Sequence, residues 1–252
     1  MLPAINALWI GPVLGPVHAS CLVSFARAGH RVVLHAFDEI EDVPEGIELF
    51  DATRLMARDE IIRHNSGSLA LASDIYRYRI QREAMGIYVD CDVYCLKPFP
   101  GDDYLFGWEA DDLIGTAVQR IPAGSELLSS MMEASENPAF IPPWYSRRKV
   151  RKLMLRKLSG KRPNLSDLDW GSIGPDLLTH HLKRLGMEDA AKPADWFYPV
   201  SPKHKSLLNE PGLDFSDLST NRSLAIHLWS SKTLDGGIAE GSVLARMTSM
   251  LD

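Results

Sequence analysis

The chain has 252 residues, a formal net charge of −6, 45% apolar residues and 24% charged residues. That balance suits a folded globular protein and excludes disordered and fibrous classes. Its three cysteines, Cys21, Cys91 and Cys95, are too few and too unpaired for a disulfide framework, and Cys91 and Cys95, four apart, have no second Cys pair and no nearby His to make a zinc site.

Met1 to Ser20 has no basic leader and is broken by Pro3, Pro12 and Pro16, so no signal peptide is expected. No run reaches the roughly 18 apolar residues of a membrane-spanning helix. With so few cysteines, a cytoplasmic location is the expectation. Charge is unevenly spread. Arg147 to Arg162 holds nine Lys/Arg and no acid, leaving 18 basic against 33 acidic residues elsewhere. A body that acidic repels phosphate, so nucleic acid is not an expected partner.

Ile5 to Ile10 reads as a first strand. Pro16 then stands where a helix can start, apolar residues recur at Val17, Cys21, Leu22, Phe25 and Ala28, and Gly29 is a natural stop. Arg31 to Ala36 alternates and forms a second strand. This β-α-β opening belongs to an α/β sheet. It has neither GxGxxG nor GxxxxGK[ST], so dinucleotide and P-loop readings lack their phosphate loops. Ile47 to Phe50 is a short strand candidate.

A helix is predicted from about Leu69 to Met85, N-capped within Ser66 to Ser68, with Gly86 at its end. Asp74, Arg77, Tyr78 and Gln81 share one face of it. That polar face either meets water or lines a site. Ile87 to Val89 is a short buried strand ending in Asp90-Cys91-Asp92. Two carboxylates spaced two apart point the same way and repel unless a cation lies between them. Oxygen ligands suit Mg²⁺ or Mn²⁺. As an ordinary feature, Asp90 and Asp92 are turn formers after a strand.

Tyr104 to Trp108 and Ile114 to Gln119 read as strands, and Ser125 caps a helix to about Glu136. After Pro142-Pro143, Trp144 to Leu158 fits a basic amphipathic helix, and Lys161 to Asp169 a mobile loop. The basic run is either a solvated face or a membrane-surface contact, with Trp144 and Tyr145 as anchors and Arg147, Arg148, Lys149, Arg151 and Lys152 facing anionic lipid. Trp170 to Pro175 is a tight turn before a helix over Asp176 to Leu185, where Gly174 and Pro175 let backbone approach closely. Ser223 to Leu228 is a last strand. The organisation expected is one domain over 1–252 with a basic helical insertion around 138–169.

Ala72-Ser73-Asp74-Ile75-Tyr76-Arg77-Tyr78-Arg79, followed by Gly86-Ile87-Tyr88-Val89-Asp90-Cys91-Asp92, resembles the SDxxRY…GGxYxDxD signature of family 32 glycosyltransferases. These carry the DXD motif and are related to the glucosylating domain of large clostridial toxins. Trp9-Ile10-Gly11, Gly174-Pro175 and His227-Leu228-Trp229-Ser230-Ser231 agree in order. The sequence departs from the pattern at Met85-Gly86, where Gly-Gly is usual, and at Lys232, where an aromatic often follows the final Ser pair.

The resemblance implies a GT-A-type α/β domain with a mixed central sheet flanked by helices. It implies a metal-dependent, retaining transfer of a sugar from a nucleotide-sugar donor, UDP-linked before GDP-mannose. Taken with the basic segment Arg147 to Arg162, it makes the expected acceptor a glycan or lipid-linked oligosaccharide of a surface polysaccharide, and the segment itself suggests an enzyme peripheral on the inner face of the cytoplasmic membrane. By the same resemblance Asp92 ligates Mn²⁺ or Mg²⁺, and Asp90 reaches the ion and the donor. Asp74 and Arg77 bind the donor sugar, and Trp9 stacks on the base. Apart from the resemblance, a neutral imidazole at His227, or the oxygen of Ser230 or Ser231, could complete the metal shell, and the charge of Lys232, five residues after His227, could neutralise the diphosphate. No residue is assigned as a general base. Trp108 and Glu109, with Asp111 and Asp112, either line an acceptor pocket or form an acidic surface loop.

Each of these residues also has a purely structural reading. Asp74 with Arg77 makes an i, i+3 surface pair, Trp9 a core aromatic, His227 a strand-end histidine and Lys232 a solvated surface charge. Two rival functions stand beside the transferase. A phosphohydrolase of the haloacid dehalogenase type also places DxD after an apolar strand, although Tyr94 departs from its DxDx[TV] pattern. The other is a non-catalytic carbohydrate- or lipid-binding module.

Overall fold

Parallel strands β1 (Ile5–Trp9) and β4 (Ile87–Val89) run side by side at the centre of a six-stranded sheet. The computed structural model describes residues 1–158, 164–230 and 237–251. The strand order is β3-β2-β1-β4-β7-β6, with β2 at Val32–Ala36, β3 at Glu48–Asp51, β6 at Leu105–Ala110 and β7 at Leu113–Arg120. β1, β2, β3 and β4 pair parallel, whereas β7 pairs antiparallel with both β4 and β6. This is the mixed central sheet flanked by helices that the resemblance implies.

Helix α1 (Pro16–Arg27) starts with Pro at its first turn, where the missing N–H costs nothing. It buries Leu22 and Phe25 in a cluster that continues into Ile5, Leu34 and Ile87 of the sheet. Helices α2 (Ala70–Arg82), α3 (Glu126–Glu136) and α5 (Pro175–Leu185) meet in the other principal core, around Tyr76, Tyr78, Leu128, Met131 and Leu178. Ser125 caps α3 as expected, its hydroxyl accepting from Leu128 N–H at 3.2 Å.

Helix α2 stops at Arg82 rather than near Met85. Ala84 adopts a left-handed conformation (φ 50°) and Met85 N–H donates to Ile80 O, the bond pattern of a Schellman stop. Gly86 follows at φ +127°, and a Cβ there would lie 2.3 Å from Ala4 O. Only glycine lets β4 enter the sheet this close to β1.

A second, two-stranded sheet pairs β5 (Val93–Cys95) with β8 (Ala225–His227) antiparallel. Asp90-Cys91-Asp92 is therefore the link between the two sheets. α6 (Val243–Thr248) packs with β8 and α1 through Val243, Leu244, Ile226 and Val17. Helix α4 (Arg147–Leu158) forms within the expected basic segment. Within the stretch expected as a loop over Lys161 to Asp169, a 3-10 turn at Leu165–Asp167 buries Leu165, and Leu168 beyond it is buried too. Residues 161–163 lie outside the described residues. No helix among the described residues is long and apolar enough to cross a membrane.

Candidate metal and donor site

The order of the sheet reverses between β1 and β4. β2 lies on the outer side of β1, and β7 on the outer side of β4. In open α/β sheets the crevice at the carboxyl ends of two such strands is a natural ligand site. Trp9 ends β1 and Asp90 follows β4. Both line a cleft of about 260 Å³ together with Ile10, His18, Tyr88 and Asp92.

The DXD link is anchored at both ends. Asp90 N–H donates to Ala117 O of β7 at 2.8 Å, and Leu228 N–H donates to Asp92 O at 2.9 Å. The β5–β8 register sets His227 opposite Val93, one residue past Asp92. His227 Nε2 thereby lies 3.1 Å from Asp92 Oδ1, and Ser230 N–H donates to Asp92 Oδ2 at 2.9 Å. Among the described residues, Asp90, Asp92 and His227 bring one ligand atom each to within 4.8 Å of one another. An octahedral ion with bonds of about 2.1 Å holds its ligands about 3 Å apart in cis and about 4.2 Å apart in trans, so shifts of a few tenths of an ångström close the three around one cation. His227 Nδ1 is buried without a hydrogen-bond partner. Two carboxylates and an imidazole make a donor set that could hold a metal ion.

Electrostatics separates the members of the site. Burial raises the Asp92 carboxyl, but the charge and hydrogen bond of His227 and the bonds from Ser230 outweigh it, holding Asp92 well below the usual carboxylate range. Burial lowers the His227 imidazole, but Asp92 more than restores it and the net shift is upward.

On α2, Asp74 and Arg77 are buried and do not meet water; they are 6% and 3% exposed. Arg77 Nη2 reaches Asp90 Oδ1 at 3.1 Å and Asp74 Oδ1 at 3.4 Å. Its Nη1 donates to Thr116 O, and its guanidinium lies 4.7 Å from the Tyr88 ring centroid. Burial alone would lower Arg77, but Asp90, Tyr88 and Asp74 together raise it, so it stays cationic. Burial pushes the Asp74 carboxyl up to about 7 against the pull of Arg77. A Cβ on Gly174 would lie 2.5 Å from Asp74 Oδ2, so the turn before α5 can cover Asp74 only as glycine. Pro175 opens α5 behind it.

The rest of the predicted polar face of α2 is structural. Tyr78 donates to Ile173 O, and Gln81 bridges Gln119 O and Ile121 N. Trp108 packs against the α2–α3–α5 core, whereas Glu109 reaches across Gly115 toward the Tyr198 hydroxyl. The two therefore do not share a face of β6. Lys232 and Ser231 lie outside the described residues.

His18 and Tyr198 carry no sequence signal for this site. The His18 ring is 4.6 Å from that of Trp9 and its Nε2 is 3.1 Å from Ser230 Oγ. Tyr198 packs edge-on to His227 at 5.7 Å. His18 comes from a helix read only by its apolar positions, and Tyr198 from a segment between Leu185 and Ser223 in which no element is predicted.

No family model matches the sequence, and no curated protein matches it significantly. Among solved structures the chain is similar to PaToxG glycosyltransferase, at 14% identity and a TM-score of 0.44, over 73% of this chain and 70% of that one. A superposition that loose carries no correspondence between residues.

Proposed function

We propose that this chain is a metal-dependent glycosyltransferase that moves a sugar from a nucleotide-sugar donor, UDP-linked, to a hydroxyl of a glycan or lipid-linked oligosaccharide. The observation that carries the reading is the convergence of Asp90, Asp92 and His227 on one ligand position, with the Arg77 guanidinium directly behind Asp90. A cation held there would stabilise the negative charge that gathers on the nucleoside diphosphate as it leaves.

In this reading the whole chain acts as one domain. Asp92 and His227 hold the ion, and Asp90 serves both the ion and the donor. Asp74 accepts from sugar hydroxyls and Arg77 donates to donor oxygens while fixing Asp74 and Asp90 in place. Trp9, half-buried at the cleft, offers a ring face to the base. Lys232 is assigned to the diphosphate. Glu109 is the carboxylate on the Tyr198 side of the site and is assigned to the acceptor. Transfer proceeds with retention by front-face displacement: the anomeric C–O bond to the diphosphate breaks, the acceptor oxygen bonds to the same face, and its proton passes to the departing phosphate oxygen. No side chain is needed as general base.

Calorimetry of UDP binding with and without Mn²⁺ tests the site. Metal-dependent affinity that disappears in Asp92→Ala supports it. Affinity that ignores both metal and mutation makes the chain a binding module instead.

A further inference from the structure

Helix α4 presents a stripe that the rest of the molecule does not cover. At 100° per residue, Val150 and Leu153 turn toward the body and are half-buried. Lys149 pairs with Asp169, and Arg156 pairs with Asp167 at 2.8 Å. Tyr145, just before the helix, is bonded to Ser172 Oγ and to Asp169 N–H. Trp144 packs against Phe140 and His180. These groups seat the helix, so neither Trp144 nor Lys149 belongs to its outward face.

That outward face carries Arg147, Arg148, Arg151 and Lys152 in its first half, all exposed and without an ion pair among the described residues. In its second half Leu155 and Leu158 are 54% and 82% exposed, with Met154 at 51% on the edge. Arg148, Arg151, Lys152, Leu155 and Arg156 border one shallow, open patch of the helix surface. Cations and bare aliphatic side chains on one helix face, on a body that is otherwise acidic, match an anionic bilayer: the cations meet lipid phosphates and the leucines enter the acyl boundary. Nucleic acid would be served by the cations alone and gains nothing from exposed Leu155 and Leu158.

We propose that α4 is an interfacial helix that docks this chain on anionic lipid membranes through Arg148, Arg151, Lys152, Leu155 and Leu158. The seat of the helix joins that plane to the sugar site. Tyr145 holds Ser172, two residues before the Gly174 that covers Asp74. The membrane proposal stands independently of the transferase reading.

The test is flotation of the full-length protein with vesicles of phosphatidylcholine alone or with 30% phosphatidylglycerol (about a third of the lipid anionic, to set the surface potential). Wild type is expected to float only with the anionic vesicles and to be released by salt. R148Q/R151Q/K152Q should lower partitioning about a hundredfold, since each basic side chain at such a surface contributes about fivefold. L155S/L158S should lower it with the charges intact. All five positions are exposed, and an unchanged thermal midpoint checks that each variant folds. Equal partitioning of wild type and the charge variant would overturn the proposal. So would equal partitioning of wild type and L155S/L158S, or binding to a random-sequence RNA without flotation. None of these readouts involves sugar transfer.

Discussion

The Arg77 guanidinium lies 3.1 Å from the Asp90 carboxylate and so ties α2 to the end of β4 at the point where the sheet order reverses. Removing a buried charge from such a cluster leaves its partners unpaired and costs about 3–5 kcal/mol. Arg77→Ala is therefore expected to lower stability by that amount in urea unfolding and to abolish activity. Arg77→Lys keeps the charge but loses the fork that spans Asp74, Asp90 and Thr116 O, and should recover stability only in part.

Asp74 behaves oppositely. Its carboxyl, raised by burial to about 7, binds a proton more tightly folded than unfolded. Its contribution to stability therefore falls as pH rises from about 4 to about 7. Asp74→Asn should unfold at pH 8 at the same or a higher temperature than wild type, yet lose sugar transfer. A loss of stability equal to that of Arg77→Ala would show that Asp74 serves the fold.

Gly174→Ala probes the same carboxylate without touching it. Its Cβ would stand 2.5 Å from Asp74 Oδ2, so Asp74 or the turn must move. A displacement near 1 Å at a positioning group costs about a hundredfold in rate. Initial-rate kinetics should show kcat/KM falling by about that factor while circular dichroism is unchanged.

His35 supplies a pH signature away from Asp90, Asp92 and His227. It is fully buried between Asn6 Oδ1 at 3.0 Å and the Tyr76 hydroxyl at 2.9 Å, linking β1 and β2 to the helix that carries Asp74. Burial lowers it to about 4. Below pH 6.5 the unfolded chain takes up a proton that the folded chain refuses until about pH 4, so stability drops as pH falls through that window. The slope from this group is up to about 1.4 kcal/mol per pH unit. His35→Gln should flatten the slope between pH 6.5 and 4.5 in urea titrations.

Local pattern made much of this legible. The β1-α1-β2 opening, the Ser125 cap and the pairing of Asp90 with Asp92 follow from residue spacing, because period and capping act within a few positions. The face of α2 was legible, but not that Arg77 reaches Asp90 and Gly174 covers Asp74 while Tyr78 and Gln81 turn to backbone groups; that choice depends on where β4, β7 and Ile173 lie. The arrival of His227 beside Asp92 depends on the β5–β8 register, a pairing across more than 130 residues that no local pattern encodes. His18 and Tyr198 stayed hidden for the same reason. Trp144 reads as an interfacial aromatic in isolation, yet Phe140 and His180 close over it.

The central claim is that Asp90, Asp92 and His227 hold a cation for a nucleotide-sugar donor. The most direct measurement incubates purified protein with a panel of UDP- and GDP-sugars and, separately, with p-nitrophenyl phosphate, each with and without Mn²⁺. Mn²⁺-dependent release of UDP or GDP from one donor, absent in Asp92→Ala, is the predicted result. Turnover of p-nitrophenyl phosphate with every nucleotide-sugar left intact would contradict it.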